Sequence, residues 1–415
     1  EIVPGGFVSL ERDVFPSWCR RGCCMPWPAD LRSWISGRLN RTARQKRSSK
    51  TWCQSMIISR TPFRVSFFGG GTDYPVWYRE YGGAVLATTI DKYCYITCRY
   101  LPPFFEHKSR IVYSKVENAI SNDQIEHPAV RGALRYLGIT EGVEIHHDGD
   151  LPARTGLGSS SSFTVGLLHV LHALRGVMPT KRQLAQEAIH IEQTLLKEHV
   201  GSQDQVSTAF GGFNQINFHP DGSFQATPMI VPPERLLALQ RHLMFFFTGF
   251  SRTASEIAEA QVRATAQKRQ ELQRLHEMVQ EAKQVLVSQA GFAEFGTLLH
   301  EAWQIKRTLT QSISTLEIDQ IYETARRAGA IGGKLLGAGG GGFMLLFVKP
   351  ADQARVKSAL KRFLHVPFRF ESSGSQVIFY EPDGRYGPVA DTIRAPRTRG
   401  RRSASPAALT YAAQP

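Results

Sequence analysis

The chain has 415 residues, 42% of them hydrophobic, which is enough for two cores, and its longest strongly apolar run, Leu243 to Phe247, is far below the ~20 residues of a membrane span. Its formal charge is +14, but residues 1–55 hold ten Lys/Arg against four Asp/Glu and residues 381–415 hold six against three, which leaves +5 for the body. A surplus gathered at the ends argues against nucleic-acid binding, and a mildly positive body suits anionic small molecules.

In chain order, residues 1–55 mix Trp, Cys, Pro and Arg without a sustained period and read as a disordered basic leader. No basic stretch leads an apolar core in Glu1 to Leu10, so no secretory signal is expected and the cytoplasm is the expected location. Met56 opens a strand that runs into Pro62-Phe63-Arg64-Val65-Ser66-Phe67-Phe68-Gly69-Gly70-Gly71-Thr72-Asp73, and is a candidate start of the folded region. Cys94 and Cys98 sit in a strand-like cluster without the histidines of a zinc module, so they are expected as free thiols. Pro152 to Ser162 is rich in Gly and Ser and leads into an apolar helix over Phe163 to Leu174. Residues 180–199 form a second helix, with Thr180 as N-cap and Leu184, Ala188, Ile191 and Leu195 on one buried stripe. Glu192 is expected beside that stripe. Gly201-Ser202-Gln203-Asp204-Gln205 is a polar turn before a strand that begins near Gly211. Val231-Pro232-Pro233 marks a domain boundary, giving 56–230 and 231–380. In the second part Leu243 to Phe247 reads as a buried strand, and Ala254 to Ser288 as one long helix with a solvated face. A tail over 381–415 is expected to be disordered.

The glycine-rich segments carry chemistry. Gly156-Leu157-Gly158-Ser159-Ser160 lacks the Lys of a Walker A loop and the spacing of a dinucleotide fingerprint. Small residues before an apolar helix bare backbone amides for β- and γ-phosphates, with a Ser hydroxyl free for Mg²⁺; a plain Gly/Ser helix cap has the same sequence. Asp204 in its turn is either a proton acceptor for a hydroxyl substrate or an ordinary turn Asp. Arg64 is either its partner, neutralising charge on a transferring phosphoryl group, or a surface Arg. Gly337 to Gly342, ahead of the apolar run Phe343 to Val348, is either a loop closing over substrate or a tight bulge.

Taken together, the three segments in this order resemble the GHMP kinases, the superfamily of galactokinase, homoserine kinase, mevalonate kinase and phosphomevalonate kinase, over about residues 56–380. Within it the run Ser59 to Pro75 is most similar to the D-glycero-α-D-manno-heptose 7-phosphate kinases. Gly69-Gly70-Gly71 departs from the Gly-Glu-His of galactokinases. The resemblance implies an α+β fold of two domains, the first like domain 2 of ribosomal protein S5 and the second ferredoxin-like, with ATP between them. It implies a kinase using ATP and Mg²⁺ on a sugar phosphate, with Asp204 catalytic and Arg64 its partner. Ser160 and Glu192 would hold Mg²⁺, and Asp73, Gly70 and Gly71 the sugar. Pro152, Gly156, Leu157, Gly158, Ser159, Ser160 and Ser161 would form the phosphate loop, and Gly339 and Gly340 the closing loop. Neither nucleic acid nor membrane is an expected partner. Arg110 and Arg252 are candidates for a distal substrate phosphate.

Overall fold

The computed structural model of the protein describes residues 55–102, 104–249 and 254–382. The expected leader, apart from Ser55, the tail beyond residue 382, and Arg252 all lie outside the described residues.

Strand β1 (Met56–Phe68) is buried at every residue from Thr61 onward and pairs antiparallel with the long β2 (Gly83–Tyr100), after the short helix α1 (Pro75–Tyr81). The register slips between Pro62 and Phe63, where proline has no N–H to give the ladder. Then follow β3 (Ser109–Val112), β4 (Val116–Ala119), α2 (Pro128–Tyr136), β5 (Val143–Gly149), α3 (Ser159–Leu174), α4 (Lys181–Ile189), α5 (Gln203–Phe210), β6 (Phe213–Phe218) and β7 (Phe224–Pro228). Helix α3 is apolar nearly all round, so it is buried, lying across β1 and β2.

The second part holds α6 (Pro233–Arg241), β8 (Leu243–Gly249), α7 (Ala254–Ala264), α8 (Arg269–Val287), α9 (Ala293–Leu309), α10 (Leu316–Arg327), β9 (Ala330–Leu335), β10 (Gly342–Val348), α11 (Gln353–Ala359) and β11 (Leu364–Val366). Its four strands run in the order β11-β8-β10-β9, and α9 packs on β9. The chain then returns to the first sheet, where β12 (Phe370–Glu371) pairs with β2 and β13 (Gln376–Glu381) with β1, bringing that sheet to nine strands. Cys94 and Cys98 are buried free thiols, pushed above their usual range by desolvation, Cys98 to about 12. No helix of the described residues is long and apolar enough to cross a membrane.

Two expected helices are broken. Thr180 caps α4 as expected, its hydroxyl accepting from the Gln183 amide, but α4 stops at Ile189 and His190–Leu195 is a π-helical turn. The wider turn rotates Glu192 into the core beside Ile191 and leaves Leu195 exposed, so the stripe drawn at 3.6-residue spacing fails at its end. The helix expected over 254–288 is interrupted at Thr265–Gln267 and Lys268, whose backbone leaves the helical region, and α8 beyond it buries Leu272, Leu275, Met278 and Val279.

Candidate active site

The segments singled out in the sequence meet at a cleft of about 1330 Å³. That exceeds the ~300–1,000 Å³ of a pocket for one ligand. Alternation along β1 sends Arg64 to the face opposite Phe63 and Val65. Asp204 stands in the first turn of α5, where the helix dipole favours a carboxylate. Arg64 Nε and Nη2 each donate to one Asp204 oxygen at 2.7 Å, a planar fork on a planar fork, and Nη1 donates to the Gly156 carbonyl at 2.6 Å. The Arg64 side chain is 4% exposed and that of Asp204 23%, so the carboxylate is the member that opens to the cleft.

The loop before α3 is tied down by its backbone. The Arg64 amide donates to the Leu157 carbonyl at 3.0 Å. Gly156 lies against the backbone of Gly337: a Cβ on Gly156 would stand 2.3 Å from the Leu336 oxygen, and one on Gly337 2.3 Å from the Gly156 Cα. Gly158 is the N-cap of helix α3, which has no side-chain cap and no acid in its first turn, and this leaves its leading amides and dipole for an anion. Gly156, Gly158, Ser159 and Ser160 line the cleft.

On the other side, Gly70, Gly71 and Asp73 line it. Asp73 is almost wholly buried, accepting from the Gly71 amide at 3.0 Å and the Gln203 amide at 3.4 Å. Residue 201 must be glycine here, because a Cβ would lie 1.8 Å from Asp73 Oδ2. Burial, with the Asp204 charge second, pushes the Asp73 carboxyl above the usual carboxylate range. A further wall is aromatic, with His127 stacked on Phe163 at 4.7 Å and Tyr113 and His147 beside them.

The profile of the GHMP kinases N terminal domain matches residues 125–212, and that of the GHMP kinases C terminal domain matches residues 286–366. The chain carries both domains of the GHMP kinases. The expected α+β architecture is therefore borne out, and the protein is a phosphotransferase of the type that uses ATP and acts on a hydroxyl group. It is 28% identical over 331 residues to a D-glycero-α-D-manno-heptose 7-phosphate kinase of Campylobacter jejuni, covering 74% of this chain and 93% of that one. It is 26% identical over 321 residues to the bifunctional fucokinase/GDP-fucose pyrophosphorylase of Arabidopsis thaliana, covering 71% of this chain and only 30% of that one. Its fold matches a crystal structure described as a D-glycero-D-manno-heptose 1-phosphate kinase from Bacteroides thetaiotaomicron, with a TM-score of 0.64 at 23% identity, covering 77% and 98% of the two chains.

In this GHMP kinase Arg64, Asp204, Asp73, Gly70, Gly71 and the loop come together as the sequence suggested, and several other residues do not. Ser160 points to the cleft while Glu192 is buried behind α3. The hydroxyl that reaches Glu192 is that of Ser161, at 2.9 Å, because consecutive helix residues point about 100° apart. Gln205 also donates to Glu192 Oε2, while Oε1 has no partner among the described residues. Burial pushes the Glu192 carboxyl up to about 7. Gly339 and Gly340 pack on Ile313, away from the cleft, and it is Gly337 and Ala338 of that loop that line it. Pro152 and Leu157 also stay out of the lining, Leu157 being fully buried. Arg110, on β3, is engaged by Glu144 of β5 and Asn118 of β4, off the cleft. Sequence reasoning passed over four cleft cations, Arg154, Lys197, Lys306 and Lys334. Lys334 could have been noticed as the one charge in the otherwise apolar Ala330–Leu335 run.

Proposed function

We propose that this GHMP kinase uses ATP and Mg²⁺ to phosphorylate the anomeric hydroxyl of D-glycero-α-D-manno-heptose 7-phosphate, giving the 1,7-bisphosphate. The observation that carries the reading is the Arg64–Asp204 pair, held rigid at 2.7 Å and open to the cleft between the phosphate loop and Asp73. The α3 N-terminus receives the nucleotide phosphates, and the aromatic wall of Tyr113, His127 and Phe163 suits a purine ring. Asp73 orients the sugar. The acceptor oxygen bonds to the γ-phosphorus as the bond from that phosphorus to the β,γ-bridging oxygen breaks, ADP leaves with the electron pair, and the hydroxyl proton passes to Asp204.

Ser160, which lines the cleft at the α3 N-terminus, is the residue placed to hold Mg²⁺; Glu192, buried behind α3 and bonded to Ser161 and Gln205, does not share that position. Among the described residues no three His, Cys, Asp or Glu cluster as a metal site, which accords with an ion that takes much of its shell from phosphates and water. When bound, the ion neutralises charge on the β- and γ-phosphates. The heptose acceptor is supported by the Campylobacter jejuni relative and by Gly69-Gly70-Gly71 in the first motif.

ADP release measured across a panel of sugars, sugar phosphates and mevalonate tests the reading. Heptose 7-phosphate should be turned over best. A preference for fucose or mevalonate would remove the heptose assignment and leave the Asp204 chemistry in place.

A further inference from the structure

Two lysines from the second part of the chain reach the floor of the cleft. Lys306 comes from α9, and its ammonium donates to the Leu335 carbonyl at 3.2 Å and to that of Gly337. Lys334 comes from β9, is 6% exposed, and donates to the Phe67 carbonyl at 2.9 Å. Among the described residues every hydrogen bond of these two ammonium groups goes to a carbonyl, and neither forms an ion pair. An ammonium has three N–H donors, so Lys306 keeps one in hand and Lys334 two.

Cations withdrawn from water without a counter-charge are costly, and such groups in a cleft mark function more often than structure. The cost is visible here: desolvation pulls Lys306 down to about 8 and Lys334 well below the usual lysine range, with Arg64 adding to both and Lys306 adding to Lys334. Asp73 offsets both in part, but neither neighbouring acid pairs with them. Asp204 is committed to Arg64, and Asp73 to the amides of Gly71 and Gln203. An anionic ligand would supply the paired counter-charge that these two groups lack among the described residues.

Placement favours the acceptor over the nucleotide. Phe67, which holds Lys334, leads within two residues into the Gly69–Asp73 turn of the sugar side, and Lys306 spans from Leu335 to Gly337 at the edge of the phosphate loop. We infer that Lys306 and Lys334 form an anion subsite that takes the phosphate carried by the acceptor, an inference that rests on the sugar-phosphate reading above.

The test compares heptose 7-phosphate with unphosphorylated heptose on the wild type, Lys306→Gln and Lys334→Met. The ratio of kcat/KM for the two acceptors should fall by about ten- to a hundredfold in each variant. Because both acceptors are measured on the same variant, partial loss of folded enzyme cancels from the ratio, and Lys306→Gln suffices should Lys334→Met not fold. An unchanged ratio, with both acceptors slowed alike, would overturn the inference by assigning the cations to the transferring phosphoryl group. A second readout is inorganic phosphate added with the nucleotide site filled by a non-hydrolysable ATP analogue: it should raise the Tm of the wild type and not that of Lys306→Gln. Equal protection of both proteins would also overturn the subsite. A wild type indifferent to the 7-phosphate sinks the proposed substrate, whereas a wild-type preference that survives both substitutions sinks the subsite alone.

Discussion

The two walls of the cleft are both rich in glycine, yet they do different work. The wall built from β1, the loop before α3 and α5 shows the ligand an ion pair and open amides. The loop from Gly337 to Gly342 shows it little, because its glycines let backbone lie on backbone, Gly337 on Gly156 and Gly339 on Ile313. A glycine run followed by a helix presents donors. One that runs between two paired strands is a spacer. Changes on the first wall should therefore cost rate, and changes on the second should cost stability.

The largest effect is expected at Asp204. Asp204→Asn keeps the shape and removes the proton acceptor, so turnover should drop by ~10²-fold or more with little change in ATP binding or Tm. Steady-state kinetics with a nucleotide titration checks it, and a loss of less than about fivefold would remove Asp204 from the mechanism.

The opposite wall is probed by Gly337→Ala. Residue 337 has φ +76°, and the added methyl meets the Gly156 backbone, so a loss of about 3 kcal/mol in denaturant unfolding is expected, together with weaker ATP binding as Gly156 is displaced. Normal stability with lost activity would make this loop a ligand-facing one after all.

Glu192 lies between the two cases. Burial raises its carboxyl from 4.5 to about 7, so the folded protein keeps a proton that the unfolded chain has already released in that window. Its contribution is full below about pH 4.5 and is lost as the pH rises through about 7. In enzyme free of nucleotide and metal, Glu192→Gln should exceed the wild type in stability at pH 8 by up to about 3 kcal/mol, the gap closing towards pH 5. A gap independent of pH would mean that Glu192 is not held neutral by its burial.

Arg154 gives the smallest effect. It has φ +62° in the phosphate loop, a left-handed backbone that a non-glycine residue adopts at a cost of ~1–2 kcal/mol. Arg154→Gly relieves that strain but adds ~0.5–1 kcal/mol of chain entropy to the unfolded state, so the net gain should be under about 1 kcal/mol. Thermal melts can resolve the sign.

What the sequence revealed and what it hid divide along physical lines. Arg64, Asp73, Asp204 and the loop before α3 were legible because each lies in or beside a short motif whose local conformation decides where it points. The strand at Leu243 to Phe247 was legible because so apolar a run favours burial, and Leu243 to Phe246 are buried. The π turn at His190–Leu195 was not, since periodic reading assumes 3.6 residues per turn and one wider turn moves every later side chain. The break at Lys268 escaped for a related reason: no Gly or Pro marks it, and tertiary packing of Leu272 and Leu275 sets the new direction. Lys306 becomes meaningful only once α9 is placed beside the end of β9, a long-range arrangement that leaves no local mark, whereas Lys334 left one as the lone charge in an apolar strand.

The return of β13 to β1 has a consequence for synthesis on the ribosome. Residues Met56 to Arg60 emerge early, but their partners Gln376 to Glu381 are translated more than three hundred codons later. During that interval the outer side of β1 is a bare strand edge, with amides and carbonyls free to pair with any extended chain nearby. Closure waits for one of the longest-range contacts in the molecule, the slow kind in folding. Any premature stop before codon 376 would release a polypeptide with most of its motifs present and its first strand still exposed, a substrate for chaperones and proteases rather than a smaller enzyme.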